Sequence, residues 1–238
     1  MTIKEKNSFF ISFILVIISF AFAYYEPLNQ MLLSVDRQIS LCINPTLAEK
    51  NIWTIFWAIM NKTVERYISI SIMIVIALIF IFKSTNRKLA ITLVISMILY
   101  LELATIIKYF LIRLFDINRH SPSYVIENYH RLSQLFQDNT IKDGSGASFP
   151  GDHALVLLFI AFYSWRFYPK KLRNYTCFFA VFFVIPRVVS GAHWASDVVG
   201  TTIIAFFYTN LIVLTPLHDY TVKLIEAMLN KCSRSSVG

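Results

Sequence analysis

Long apolar stretches constrain the fold of this chain more strongly than any other feature of its sequence. Ser8–Tyr25 contains no charged residue, and five further apolar stretches follow it: Tyr67–Phe82, Leu89–Ile107, Ala154–Tyr168, Tyr175–Ser190 and Val198–Leu214. A helix needs roughly 20 apolar residues to span a bilayer. The fourth and fifth stretches reach that length only if the polar residues at their ends belong to the same helices. The sequence therefore predicts an all-α fold, a bundle of six transmembrane helices that forms one integral membrane domain over residues 1–238.

Composition favours the membrane as the surroundings of this chain and argues against nucleic acid as its partner. Hydrophobic residues make up 56% of the chain and charged residues 15%, whereas soluble proteins carry about a quarter charged residues. The formal net charge is +8, but the cations lie beside apolar stretches and form no basic patch interleaved with aromatic residues. This distribution is typical of contacts with anionic lipid head groups, and we expect no nucleic-acid partner.

Lysine and arginine residues predict the orientation of the helices, because cytoplasmic connections are enriched in them. The connection after the second stretch contains Lys83, Arg87 and Lys88, the connection after the fourth contains Arg166, Lys170, Lys171 and Arg173, and neither contains an acid. Further cations lie near the amino terminus (Lys4 and Lys6) and near the carboxy terminus (Lys223, Lys231 and Arg234). This pattern predicts that both termini are cytoplasmic. The first stretch also resembles a cleavable signal peptide, but its uncharged core is longer than is usual for one, so we expect it to remain as a span.

Two connecting segments are predicted on the opposite side of the membrane. Asn44–Glu65 alternates apolar and polar residues and includes Trp53 and Trp57. It is interpreted either as an amphipathic helix lying in the membrane interface or as an ordinary segment packed on the bundle. Asp116–Asp152 is polar and contains Gly144-Ser145-Gly146, which predicts an irregular loop.

Ionisable residues gather at the predicted helix ends on this second side. A charged group at membrane depth is costly and is a functional hypothesis by default. The cluster comprises Lys108, Arg113, Arg119, Asp152, His153, Arg187, His193 and Asp197. Because these residues lie at the ends of four different stretches, we expect them to form one site.

The residue types in this cluster suit the transfer of a phosphate group. Arg119, Arg187 and Lys108 supply cations that bind phosphate through charge-assisted hydrogen bonds. His193 and Asp197 are four residues apart and would share one face of a helix, so Asp197 is predicted to orient the imidazole. An imidazole nitrogen that attacks phosphorus forms a phosphohistidine. No metal or other cofactor is needed for this chemistry.

Three other interpretations of the cluster stay open. One is a purely structural polar network. A second is a metal site built from Asp152, His153, His193 and Asp197, which the flanking arginines disfavour because they would repel a cation. A third is a lipid transporter or flippase, whose substrate pathway also contains ionisable residues. The two halves of the chain, however, show no inverted repeat or pair of helices broken by glycine or proline.

Two motifs carry a resemblance to a known family. Arg187–Asp197 reads Arg-Val-Val-Ser-Gly-Ala-His-Trp-Ala-Ser-Asp, and Ser148–His153 reads Ser-Phe-Pro-Gly-Asp-His. The first is similar to the third signature of the type-2 phosphatidic acid phosphatase superfamily: arginine, five residues, histidine, three residues, aspartate. The second resembles the Pro-Ser-Gly-His signature of the same superfamily.

The resemblance implies a catalytic role for each matching residue. His193 would be the nucleophile, Asp197 its partner and His153 the general acid for the leaving group. Phosphate oxygens would be held by Arg187, Arg119 and backbone amides near Gly151. The superfamily's first signature, a lysine, six residues, then Arg-Pro, is not present as such. Lys108 and Arg119 are eleven residues apart, four more than in that signature, so the third phosphate cation is less clearly matched. The extra residues amount to about one helical turn, so Lys108 can still face the site, with Arg113 as its competitor.

Departures from the signatures resemble one subgroup of the superfamily. Gly151 and Asp152 replace the serine and glycine of the Pro-Ser-Gly-His signature, and Pro186 replaces the serine that precedes the arginine of the third signature. The subgroup with such a sequence transfers phosphate from undecaprenyl diphosphate to the 1-phosphate of lipid A. It would make this chain a multi-pass protein of the bacterial inner membrane with its site facing the periplasm. Asp152 would belong to the phosphate-binding residues and tune either the acceptor or the proton transfer. A phosphatase that hydrolyses undecaprenyl diphosphate or lipid A 1-phosphate shares every catalytic residue and stays the alternative.

Overall fold

The computed structural model describes residues 10–18 and 26–235. In these residues the secondary structure is helical and contains no strand, which confirms the all-α prediction. Residues 10–18 form α1, and a 3-10 turn covers Asn44–Leu47. The other helices are α2 (Glu26–Ile43), α3 (Ile52–Met60), α4 (Thr63–Lys83), α5 (Arg87–Leu114), α6 (Pro122–Val125), α7 (Leu132–Phe136), α8 (Asp152–Phe167), α9 (Lys170–Val189), α10 (Ala195–Val213) and α11 (Pro216–Ser235).

Four of the described helices are long and apolar enough to cross a membrane, namely α4, α5, α9 and α10. Helix α8 has 16 residues and lies at the centre of the bundle, packed against α9, α10, α5 and α4. Leu157, Phe159 and Tyr163 on α8 are fully buried, as expected for a helix that is apolar all round. The first predicted span, Ser8–Tyr25, lies partly outside the described residues.

Of the two short apolar stretches, the fifth gives a helix long enough to cross a membrane once its polar ends are included, namely α9. The fourth does not, because α8 has only 16 residues even with Asp152 and His153 included. Helix α8 begins at Asp152, and α9 extends from Lys170 to Val189. After α9 the chain turns at Gly191, whose φ of +78° is in the region that favours glycine. A Cβ at this position would lie 2.5 Å from the Tyr129 ring. This turn brings His193 back to the end of the bundle where α8 begins.

The segment Asn44–Glu65 is partly helical and packs on the bundle. Helix α3 begins with a capping box in which Asn51 accepts a hydrogen bond from the Thr54 amide at 3.0 Å. Thr54 and Ala58 are buried on its inner side, whereas its outer face, including Trp53, is exposed. Helix α3 therefore packs on neighbouring elements and exposes an apolar face that includes Ile52 and Ile55, without the polar face of an amphipathic helix. Helix α4 already begins at Thr63.

The predicted loop between Asp116 and Asp152 contains only the two short helices α6 and α7. The buried carboxylate of Asp143 organises it. This carboxylate pairs with Arg131 at 2.9 Å and accepts a hydrogen bond from the Ser133 amide at 2.7 Å. The loop is thereby held over the end of the bundle, where Leu132 and Ile141 pack against Leu47 and Ala58.

Candidate active site

A polar cavity of about 220 Å³ lies at one end of the bundle. It is formed where α4 and α8 begin, where α9 ends and where the chain turns towards α10. Its charged and imidazole-bearing residues are Arg66, Lys142, Asp152, His153, Arg187 and His193. The structure thus brings together four of the predicted site residues. Arg66 and Lys142 were not predicted.

The His193 imidazole is held in a single tautomer. Its Nδ1 lies 2.7 Å from the backbone carbonyl oxygen of Ser148. A carbonyl oxygen only accepts, so Nδ1 carries the proton and the lone pair is on Nε2. Burial, supported by the nearby Arg187 charge, lowers the pKa of His193 to about 4, although the bond to Ser148 acts in the opposite direction. His193 is therefore a neutral imidazole with a free Nε2 at neutral pH, the form required of a nucleophile.

This low pKa predicts how the reactivity of His193 depends on pH. Diethyl pyrocarbonate modifies only neutral imidazole, and we expect the rate at His193 to stay constant from about pH 8 to about pH 5. Peptide mass spectrometry of the modified protein measures this rate. N-acetylhistidine in the same solution is the control, and its rate falls about 30-fold between high pH and pH 5 because its pKa is about 6.5. Parallel falls in the two rates would contradict the assignment of a lowered pKa.

Asp197 does not make the hydrogen bond to His193 that its spacing predicted. Asp197 Oδ2 lies 3.9 Å from His193 Nδ1, which is beyond hydrogen-bonding distance. The reason is local, because α10 begins at Ala195 and His193 lies before the helix. The Asp197 carboxylate instead accepts a hydrogen bond from the Trp194 amide at 2.9 Å. Asp197 thus organises the turn that carries His193, and the carbonyl of Ser148 orients the ring.

Arg119 is placed behind the cavity and does not line it. Its Nη2 pairs with Asp36 at 2.7 Å and its Nη1 with Asp197 at 2.9 Å. Nη2 also donates to Ser196 Oγ at 2.9 Å. These buried partners occupy both ends of the guanidinium, so in this structure Arg119 holds Asp197 in place of the predicted contact with phosphate. Asp36, which belongs to α2, was not predicted, because nothing in the polar and apolar mixture of that helix distinguishes it from an exposed acid.

Glu65 joins the predicted general acid to the predicted phosphate cation. Its Oε1 lies 3.2 Å from His153 Nε2, and its Oε2 lies 3.0 Å from Arg187 Nη2. Arg187 also donates to the backbone carbonyl of Lys142 at 3.2 Å. Glu65 is buried, and a buried carboxylate requires such partners. Glu65 was predicted to lie in a connection between helices, and this role was not predicted.

Lys108 lies beside the cavity, in contact with Asp152. Their side chains form a close ion pair, and the Lys108 Nζ also lies 4.1 Å from the centroid of the Tyr109 ring. Lys108 lines a neighbouring apolar groove, and Asp152 lines both this groove and the polar cavity. Arg113 lines neither of them. Of the two competing cations, Lys108 is therefore the one that lies next to the site.

Gly151 supports His193 by its small size. The Gly151 amide donates to Thr201 Oγ1 at 3.1 Å, so this amide is not available to bind phosphate as predicted. A Cβ at Gly151 would lie 3.2 Å from His193 Cε1, which is a tight contact. The imidazole thus packs directly over the residue that precedes α8.

The four residues considered for a metal site are used differently in the structure. In the described part of the chain, no group of three or more His, Cys, Asp or Glu side chains is placed to hold a metal ion. Asp152 pairs with Lys108 and Asp197 with Arg119. His153 and His193 face the cavity alongside Arg187.

A helical bundle with two histidines and an arginine at converging helix ends matches a known class of membrane enzyme. The PAP2 superfamily matches residues 88–219, more than half of the chain, and this protein belongs to that superfamily. Two relatives are lipid A 1-diphosphate synthase from Escherichia coli K12, 28% identical over 87% of each chain, and undecaprenyl-diphosphatase from Sulfolobus acidocaldarius, 30% identical over 65% of this chain and 68% of that protein.

A solved structure supports the same fold. The PAP2-type phosphatidylglycerolphosphate phosphatase of Bacillus subtilis superposes with a TM-score of 0.52, covering 92% of this chain and 98% of that chain at 16% identity. The predicted family is therefore confirmed. As its relatives are phosphatases or phosphotransferases, this protein is an enzyme of that class.

Proposed function

We propose that this enzyme transfers the terminal phosphate of undecaprenyl diphosphate to the 1-phosphate of lipid A. The observation that carries the proposal is the neutral His193, with Nε2 free, in a cavity that also presents Arg187, Arg66 and Lys142. These cations stabilise the negative charge that spreads over the phosphoryl oxygens during transfer. The similarity to lipid A 1-diphosphate synthase over most of both chains supports this choice of substrates.

In the first step, Nε2 of His193 attacks the terminal phosphorus. A nitrogen–phosphorus bond forms and the bond from phosphorus to the bridging oxygen breaks. Undecaprenyl phosphate leaves with a proton from His153, whose Nε2 lies 3.2 Å from the Glu65 carboxylate. The Ser148 carbonyl stabilises the positive imidazole through Nδ1–H.

In the second step, a hydroxyl oxygen of the lipid A 1-phosphate attacks the phosphohistidine and its proton passes to His153, which restores the general acid. The nitrogen–phosphorus bond breaks, its electrons return to Nε2, and lipid A 1-diphosphate is the product. Asp152 lies at the boundary between the polar cavity and the apolar groove. We assign it, together with Lys108, to positioning of the acceptor. No step is assigned to a metal.

Hydrolysis is the second candidate, and one observation favours it. The relative from Sulfolobus acidocaldarius is an undecaprenyl-diphosphatase, and water can resolve the same phosphohistidine. In that case orthophosphate is the product and lipid A has no role.

The proposal includes the placement of the enzyme in the membrane. Residues 1–238 would form one integral domain with six spans, both termini in the cytoplasm and the cavity facing the periplasm of a bacterial inner membrane. The cavity lies where α4 begins, whereas Lys83 at the end of α4 and Lys170 and Lys171 at the start of α9 lie at the opposite end. This separation supports the orientation, because cationic connections stay in the cytoplasm.

Following a labelled phosphate tests the reaction. Purified enzyme in detergent receives undecaprenyl diphosphate labelled in its terminal phosphate, with and without lipid A. We expect the label on lipid A when it is present. Label in orthophosphate alone, at equal rates with and without lipid A, would replace transfer by hydrolysis. Label that stays on the donor would reject both reactions.

A further inference from the structure

Arg66 connects the polar cavity to an apolar groove that opens beside it. Its side chain is exposed and lines both spaces. It lies within electrostatic reach of Lys108 and Arg187. In residues 10–18 and 26–235, Lys108 pairs with Asp152 and Arg187 with Glu65, whereas no carboxylate pairs with Arg66. The charge of Arg66 is thus available to a ligand, whereas the charges of Lys108 and Arg187 are already paired with carboxylates.

The groove suits a hydrocarbon chain. It encloses about 510 Å³ between α4, α5 and α8 and is lined mainly by apolar side chains, such as Ile70, Met73, Ala77, Met97 and Leu101. From Arg66 to Ile81 along α4 it extends about 22 Å at the rise of an α-helix. Glu102, which also lines it, lies about 9 Å deeper than Lys108 along α5. A lipid with its head in the cavity and its chain in the groove passes Arg66 at the junction.

We propose that Arg66 binds the phosphate nearest the hydrocarbon chain and so selects lipid diphosphates over lipid monophosphates as donors. The inference rests on the proposed function only in taking a lipid diphosphate as the donor. His193 and Arg187 receive the terminal phosphate inside the cavity, and the second phosphate then lies one position towards the groove. Arg66 is the cation at that position, and a guanidinium binds phosphate through two parallel hydrogen bonds.

Binding measurements with two unreactive ligands test this assignment without relying on turnover. The probes are the phosphonate analogue of farnesyl monophosphate and the methylene-bridged bisphosphonate analogue of farnesyl diphosphate, titrated by calorimetry in detergent. We expect Arg66→Gln to weaken binding of the bisphosphonate at least about 10-fold, the range of a charged hydrogen bond. Binding of the monophosphate analogue should change less than about twofold. Arg66→Lys should recover part of the loss, because it restores the charge without the paired hydrogen bonds.

Arg113→Gln is the matched control, since Arg113 is an exposed cation near the same end of α5 that lines neither space. It should leave both affinities unchanged. Equal losses for the two ligands in Arg66→Gln would show that Arg66 does not distinguish diphosphates from monophosphates and would overturn the inference, as would no loss for either. A wild-type enzyme that binds both ligands equally would also overturn it. Failure of the proposed function appears separately, as label that does not move in the transfer experiment.

Discussion

Replacing His193 with alanine is expected to lower phosphate transfer on the order of 10⁴-fold or more, the loss typical when a nucleophile or its base is removed. The variant lacks the nitrogen that attacks phosphorus, while the cavity and its cations remain. The measurement is the initial rate of label transfer from undecaprenyl diphosphate. A second readout is acid-labile label on the protein in the absence of acceptor, which reports the phosphohistidine and should disappear in His193→Ala.

His120→Ala is the control for this experiment. His120 is exposed, and its contribution to the site is a backbone carbonyl that accepts a hydrogen bond from Trp194 at 2.7 Å. This contact survives truncation of the side chain, so both readouts should match the wild type. If His193→Ala still formed an acid-labile phosphoenzyme, another residue would be the nucleophile and the mechanism proposed here would be wrong.

Replacing Asp36 with alanine is expected to destabilise the protein by about 3 kcal/mol, the range seen when one partner of a buried ion pair is removed. Asp36 accepts from Arg119 at 2.7 Å and from the Ser196 amide at 2.9 Å, and it also contacts Ser196 Oγ. Its loss leaves these donors without their buried acceptor. Thermal unfolding in detergent, followed by far-ultraviolet circular dichroism, measures the change. Because Arg119 also holds Asp197, transfer activity should fall at temperatures where the variant is folded.

Asp219→Ala provides the comparison, because the Asp219 side chain is 83% exposed. Surface substitutions of this kind usually change stability by less than about 0.5 kcal/mol, so its unfolding temperature and activity should remain those of the wild type. Equal stability of the Asp36 and Asp219 variants would show that the contacts between α2 and the turn before α10 contribute little. If Asp36→Ala lost stability but kept full transfer activity, the position of Arg119 would not be required for catalysis.

The helices and part of the site could be predicted because their signals are local in sequence. Apolar length alone located α4, α5, α9 and α10, and the motifs around His153 and His193 located residues that line one cavity. The contact between Asp197 and His193, which was predicted from their spacing of four residues, is not formed. Spacing of four residues implies a shared face only inside a helix, and α10 begins after His193.

The roles of the cations could not be predicted from their positions in the chain. Arg119, Arg187 and, less clearly, Lys108 were candidates for phosphate binding, yet Arg119 is held by two carboxylates behind the cavity and Lys108 by Asp152. Arg66, which no motif marks, lines the cavity. Which cation meets the substrate depends on where the carboxylates lie, and those come from other helices.

Sequence by itself determined that this chain is a helical membrane enzyme of the PAP2 type, and it marked His153, Arg187 and His193, which the structure places around one cavity. Apolar stretches and short motifs carry that information, since helix formation and burial follow from neighbouring residues. Only the tertiary structure decided the charge pairs, such as Arg119 with Asp36 and Arg187 with Glu65, whose members are 83 and 122 positions apart. Ion pairs and hydrogen bonds act over a few ångströms, so they exist only after packing has brought distant helices together.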